Sequence, residues 1–341
     1  MPYQAAAAEL AKRPGDGAFP FPPKRLALIE TADGLKLRAS FWHPPDGQAA
    51  QGTVLILQGR TEFIEKYAEV IAELLERGFA VVAFDWRGQG LSERQVGNPA
   101  KGHVEDFDDY LIDLAAIVSE MALEACPRPW TMLAHSMGGG VALLALASGP
   151  SPFDRAILSA PLVGLPGFKG HIASRMTARI LTSLGLSRSF VPGGGPESFP
   201  LAEAFANNPL TSDEARYAAM GDWLRIEPRL ALGAPTIGWI DAAFIAMERF
   251  EEADFGRNNR TPVLMVLAGE DDVVSTRAAE ALARGFRGAS SITLPGARHE
   301  ILMECDDLRA LFWKAFDAFV ARAPGEDLPA LAVQTLEPAK A

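Results

Sequence analysis

Ser136 stands in Ala134-His135-Ser136-Met137-Gly138, between an apolar run that opens at Trp130 and another that continues to Leu146. Small residues two before and two after a serine fit an abrupt strand-to-helix turn. A strained backbone there pushes the hydroxyl out of the sheet. That hydroxyl is a weak nucleophile until a base takes its proton and a carboxylate orients the base. Of the five histidines, His299 in Gly296-Ala297-Arg298-His299-Glu300 has the best position for the base, in the loop after the last strand-like run. His135 adjoins the serine and is expected to point elsewhere and pack locally. His43 lies in a Pro-rich loop, His171 in a long insertion, and His103 follows Gly102. The acid is read as Asp271, in Ala268-Gly269-Glu270-Asp271-Asp272, with Asp272 the runner-up. The run ending Leu158-Ser159-Ala160 offers no carboxylate. An oxyanion needs two backbone donors. They are assigned to the amide of Met137 and to that of Arg60 in Gln58-Gly59-Arg60-Thr61-Glu62, where the side-chain type says little.

These residues need elements to hold them. Leu26–Glu30 and Leu35–Trp42 bracket Asp33-Gly34, a hairpin signal. Thr53–Gln58, Ala80–Phe84, Arg155–Ala160, Pro262–Ala268 and Ser290–Leu294 read as strands, the first two as continuous apolar runs buried on both faces. Helices are expected near Lys66–Arg77, closed by Gly78, and at Asp106–Glu124, Arg277–Gly285 and Asp306–Arg322. Strands alternating with helices imply an α/β fold with a mostly parallel sheet. From 161 to 259 the alternation stops in favour of helices with Pro and Gly punctuation, an insertion over the carboxyl edge of the strands. The division expected is an arm at 1–23, a core at 24–160 and 260–322, a helical cap at 161–259, and a tail at 323–341.

With 32 Lys and Arg against 43 Asp and Glu, the net charge is -11. No basic excess is available to neutralise phosphates, so general nucleic-acid binding is excluded. Two distant cysteines, Cys126 and Cys305, make neither a disulfide framework nor a metal-ligand spacing. No cofactor or metal is expected. From Pro129 to Phe153 no charged residue occurs, but Gly138, Gly139 and Gly140 with His135 and Ser136 in mid-span argue for a buried strand and helix instead of a bilayer span. No export signal is evident, because Lys12 and Arg13 follow the weakly apolar Ala5–Ala8 instead of preceding it. The expectation is a cytoplasmic protein.

The order Ser136, Asp271, His299 is that of the α/β-hydrolases. The chain resembles their lysophospholipase and monoacylglycerol lipase branch in Gly59-Arg60-Thr61-Glu62, in Asp85-Trp86-Arg87-Gly88-Gln89-Gly90-Leu91-Ser92 and in Gly102-His103-Val104. It does so again in Ala134-His135-Ser136-Met137-Gly138 and Gly296-Ala297-Arg298-His299. The resemblance spans about 26 to 322. It implies ester hydrolysis through an acyl-enzyme, a helical cap, and structural bracing by Asp85, Arg87 and His103. Three positions depart from the branch: Gln58 where relatives often carry His, Thr61 where many carry Gly, and Ala134 where Gly is common.

The expected substrate is a carboxylic ester of a single-chain lipid, a lysophospholipid or monoacylglycerol, with a short-chain carboxylesterase as the alternative and a non-catalytic binding protein behind it. Trp223, Trp239, Phe244 and Met247 are read as lining an acyl site, against the plain alternative that helices covering a sheet are apolar anyway. Gly167–Phe190 holds Lys169, Arg175, Arg179 and Arg188 without an acid, and Ile172, Met176 and Ile180 fall at helical spacing. Two readings stay open for it: a solvated helix face, or peripheral contact with an anionic membrane, on the inner face for a cytoplasmic protein. Oligomeric state is left unassigned.

Overall fold

The computed structural model describes residues 23–44, 49–167 and 172–321. The expected tail at 323–341, the arm up to 22, and Phe168, Lys169 and His171 lie outside them, as does the side chain of Ile172.

β1 (Arg25–Glu30) and β2 (Lys36–Trp42) form an antiparallel hairpin, and β2 runs antiparallel to β4 (Ala80–Phe84). From there the sheet is parallel through β3 (Thr53–Leu57), β5 (Trp130–His135), β6 (Arg155–Ser159), β7 (Val263–Ala268) and β8 (Ala289–Leu294). The order across it is β1-β2-β4-β3-β5-β6-β7-β8. Every residue of β3, β4, β5, β6 and β7 is buried, which is why these strands are dominated by apolar residues with no in–out alternation. The helices α1 (Ala68–Glu76), α2 (Asp108–Leu123), α3 (Met137–Ala147), α7 (Thr276–Gly285) and α8 (Asp306–Val320) connect and flank them. A 3-10 turn at Ile64–Tyr67 leads into α1, and Gly78, at φ +80°, ends it.

Between β6 and β7 the described residues add no strand to the sheet. They form α4 (Ile172–Leu181), a π turn at Thr182–Leu186, α5 (Glu214–Ile226) and α6 (Ile237–Phe250), with one helical turn at Phe199–Ala202 and a 3-10 turn at Phe205–Asn207 in the long connection before α5. A single bridge, Phe190 to Thr236, ties two of these turns together.

Parallel strands deliver their following loops to one edge of the sheet. Four such loops matter here, those after β3, β5, β7 and β8. The first is braced from below by buried charge. Arg38 pairs with Glu65 at 2.5 Å and Asp85 at 2.6 Å, and Asp85 accepts the amides of Ile64 and Leu91. Arg87 is held between Asp113 and Asp33, and His103 Nδ1 lies 2.9 Å from Thr236 Oγ1. These residues have structural partners and none lines the central cavity.

Candidate active site

Ser136 sits where β5 becomes α3, at φ +49° and ψ -116°, a conformation costly for any residue with a Cβ. The turn persists because neighbours fix both sides of it. The Ser136 amide donates to Ser159 O at 3.1 Å, and Leu162 N donates to Ser136 O at 2.8 Å. The helix can start there only because Gly138 lacks a side chain; a Cβ would overlap the carbonyl oxygens of Leu57 and Gln58.

His299, in the loop after β8, places Nε2 at 2.9 Å from Ser136 Oγ. Its Nδ1 lies 2.8 Å from Asp271 Oδ2, in the loop after β7. The other oxygen, Asp271 Oδ1, accepts the amides of Val273 and Val274 at 2.8 and 2.9 Å. Burial pushes the Asp271 carboxyl up, but the hydrogen bond and charge of His299 and the two amides outweigh it and hold the group below its ordinary value. Asp272 is exposed and makes no contact with His299. Loop geometry thus selects one of two adjacent carboxylates.

The amides of Met137 and Arg60 line the same space, and no acceptor among the described residues takes either. The loop carrying Arg60 is tied down on both flanks. Gln89 Nε2 donates to Gly59 O at 2.8 Å, Trp86 Nε1 donates to Gln58 O at 2.9 Å, and the Gly59 amide donates to the Glu62 carboxylate. Thr61 adopts φ +67°, which explains why glycine suits that position. The Gln58 side-chain amide is buried with no partner.

His135 departs from its expected purely local role. Its ring lies 4.8 Å from that of His299, centroid to centroid, and its Nε2 lies 3.8 Å from Glu62. Burial drives its pKa down to about 4, so at neutral pH it is uncharged beside the His299 imidazole. Around it Lys66 Nζ lies 2.6 Å from both Glu62 and Glu300, and Tyr67 donates to Glu62. Glu62, His135 and Glu300 bring three ligand-type atoms within 4.8 Å of one another, a grouping the sequence reading missed because its members are up to 238 positions apart. The ammonium of Lys66 already supplies positive charge there.

Above these residues lies a cavity of about 820 Å³. Trp239, Phe244 and Met247 line it, together with Met220, Leu224 and Leu162. Trp223 is a correction: it does not line the cavity but is buried in an apolar cluster with Phe63, Leu91, Leu224 and Leu230, of which Phe63 and Leu224 do line it. Arg60 also lines the cavity, and its guanidinium contacts two other lining residues, Gly233 and Trp239, so its identity carries information after all.

Residues 48–306 match the family model described as serine aminopeptidase, S33 (Hydrolase_4). The chain belongs to that α/β-hydrolase family. It is 33% identical over 284 residues to lysophospholipase L2 of Escherichia coli K12, covering 79% of this chain and 80% of that protein. Human monoglyceride lipase is 30% identical over 142 residues, 42% of this chain and 45% of the relative. Among solved structures, a soluble variant of Saccharomyces cerevisiae monoglyceride lipase superposes with a TM-score of 0.68 at 23% identity, covering 89% and 97% of the two chains. At that identity the hydrolase shares a fold with it and no more.

Proposed function

We propose that this hydrolase cleaves carboxylic esters of single-chain lipids through an acyl-enzyme. Ser136 attacks the carbonyl, and His299 takes its proton and returns it to the leaving alcohol. Asp271 holds the imidazole, and the amides of Met137 and Arg60 stabilise the oxyanion. The observation that carries this reading is the unbroken hydrogen-bonded chain Ser136, His299, Asp271 on the floor of an apolar cavity. Residues 161–259 act as the cap that closes this cavity and lines the acyl site with Trp239, Phe244 and Met247. The relatives named lysophospholipase and monoglyceride lipase support the lipid ester class.

The family description raises aminopeptidase chemistry as a second reading. Such an enzyme needs a carboxylate free to hold the substrate's ammonium. Of the three acids that line the cavity, Glu62 and Glu300 are both engaged by Lys66, and the third, Glu197, is exposed to solvent, where water screens it, which favours the ester. A panel of monoacyl glycerol and glycerophospho esters of increasing chain length, run beside aminoacyl anilides, tests the choice. Fluorophosphonate labelling and Ser136→Ala test the nucleophile. Turnover of the anilides alone, or full activity in Ser136→Ala, overturns the reading.

The cap also carries the membrane contact in this proposal. On α4 and the turn after it Met176, Ile180 and Leu184 are 60%, 54% and 68% exposed, beside the exposed Arg179. No helix among the described residues is long and apolar enough to cross a membrane. An apolar stripe flanked by cations suits a helix lying on an anionic lipid surface.

A further inference from the structure

Among the described residues, one cation that lines the cavity has no carboxylate within ion-pair distance. Arg60 Nη2 donates to Gly233 O at 2.8 Å, and the guanidinium carbon lies 5.2 Å from the centroid of the Trp239 ring. Its Nε is buried without an acceptor. Neither the carbonyl nor the indole neutralises the charge. Burial pulls the group down to about 10, so it remains a cation at neutral pH. Glu62, two positions on, is occupied by Lys66, Tyr67 and the Gly59 amide. The contrast with other buried cations is clear: Arg38, Arg87, Lys66 and Arg309 each face at least two carboxylates. A desolvated charge left unmatched is costly, and proteins retain one where a ligand supplies the partner.

We propose that Arg60 is the specificity-determining residue of the site, pairing with the phosphate of a single-chain glycerophospholipid whose ester carbonyl lies at Ser136. This rests on the ester-hydrolase reading above and narrows its substrate. A planar guanidinium fork matches two phosphate oxygens, and its fixed position against Trp239 reduces the ordering needed on binding. Reach agrees with the assignment. The Arg60 amide is the second oxyanion donor, so its guanidinium stands one side chain away from the reacting carbonyl. In a lysophospholipid the phosphate stands one glycerol bridge away from that same carbonyl. A monoacylglycerol offers only hydroxyls there and leaves the cation without an anion.

The experiment compares kcat/KM for a 1-acyl lysophosphatidylglycerol with that for the 1-monoacylglycerol of the same chain, in wild type, Arg60→Gln and Arg60→Lys. Any general damage to the oxyanion loop lowers both values and divides out of the ratio. Loss of charge-assisted hydrogen bonds lowers the phospholipid-to-neutral ratio about 10- to 100-fold in Arg60→Gln and less in Arg60→Lys. sn-Glycerol 3-phosphate inhibits wild-type monoacylglycerol turnover at lower concentration than glycerol or inorganic phosphate does, and Arg60→Gln removes the difference. An unchanged ratio overturns the phosphate site. Inorganic phosphate inhibiting as well as glycerol 3-phosphate also overturns it, in favour of a free-anion site. Failure of wild type to hydrolyse either lipid, with Ser136 still labelled by fluorophosphonate, overturns this site and the lipid substrate while the nucleophile assignment stands.

Discussion

Asp271 Oδ2 accepts the Nδ1 proton of His299 at 2.8 Å, while Asp272, the next residue, is exposed to solvent. An amide at 271 offers the ring either the wrong group or the wrong tautomer. Asp271→Asn is therefore expected to lower kcat about 10⁴-fold, and Asp272→Asn to stay within about twofold of wild type. The sign of the pH effect follows from the lowered carboxyl. Its stabilising contribution is present above the ordinary value of 3.8 and is lost as pH falls through the depressed folded value. Melting curves of Asp271→Asn and wild type should diverge above about pH 4 and converge below it. Equal kcat losses at 271 and 272 would refute the choice between them.

Thr61 holds φ +67° in the loop that presents the Arg60 amide, a poor conformation for a β-branched residue. Thr61→Gly relieves about 1–3 kcal/mol of strain and gives back about 0.5–1 kcal/mol in unfolded-chain entropy. The expected net result is a stabilisation of about 1 kcal/mol, read as a higher denaturant midpoint with an unchanged slope. A lower midpoint would show that the Thr61 hydroxyl, 2.5 Å from Arg60 O, contributes more than the strain costs.

How far the sequence discloses this molecule depends on the range of each signal. β3 and β4 are legible because burial on both faces leaves no polar residue to confuse the pattern. Ser136, Asp271 and His299 are legible because each follows its own strand, and parallel strands put such loops on one edge. Trp223 was misassigned because periodicity marks Met220, Trp223 and Leu224 as apolar positions of α5 without saying which of them reach the cavity. The Lys66–Glu300 contact spans 234 positions and leaves no local trace. Arg60 was noticed for its amide, whereas the state of its side chain depends on Gly233 and Trp239 in a distant segment.

Exposure of Met176, Ile180 and Leu184 on one stretch of the cap predicts how the protein partitions onto vesicles. Arg175 is held by Glu248, so the informative cation is Arg179. Near an anionic surface each charge contributes about 1 kcal/mol. Arg179→Glu should therefore weaken binding to phosphatidylglycerol vesicles by roughly 10- to 30-fold, and Ile180→Asp should weaken it on anionic and neutral vesicles alike. Co-sedimentation measures both. Equal binding by wild type and the two variants would return α4 to an ordinary solvated helix.

The Glu62–Lys66–Glu300 cluster sets two carboxylates against one ammonium, and their surroundings shift the two acids in opposite directions. Burial pushes Glu62 up, but Lys66, His135 and Tyr67 outweigh it and leave the carboxyl below its ordinary value. Burial also pushes Glu300 up, Glu62 pushes it further, and Lys66 does not compensate; its Oε2 has no partner at all. The two therefore contribute to stability with opposite pH dependence. Glu62 stabilises above 4.5 and loses this as pH falls through its lowered value, whereas Glu300 stabilises below 4.5 and loses this as pH rises through its raised value. Glu62→Gln, which weakens the acceptor for the Gly59 amide and Tyr67, should cost about 1–3 kcal/mol at pH 8. It should also lower kcat through the loosened Arg60 loop. Glu300→Gln should match wild type to within about 1 kcal/mol at pH 5 and gain on it at pH 8. Thermal melts at the two pH values, with kcat measured beside them, check the pair. A Glu300→Gln protein that loses stability relative to wild type as pH rises would reverse the direction of the Glu300 shift.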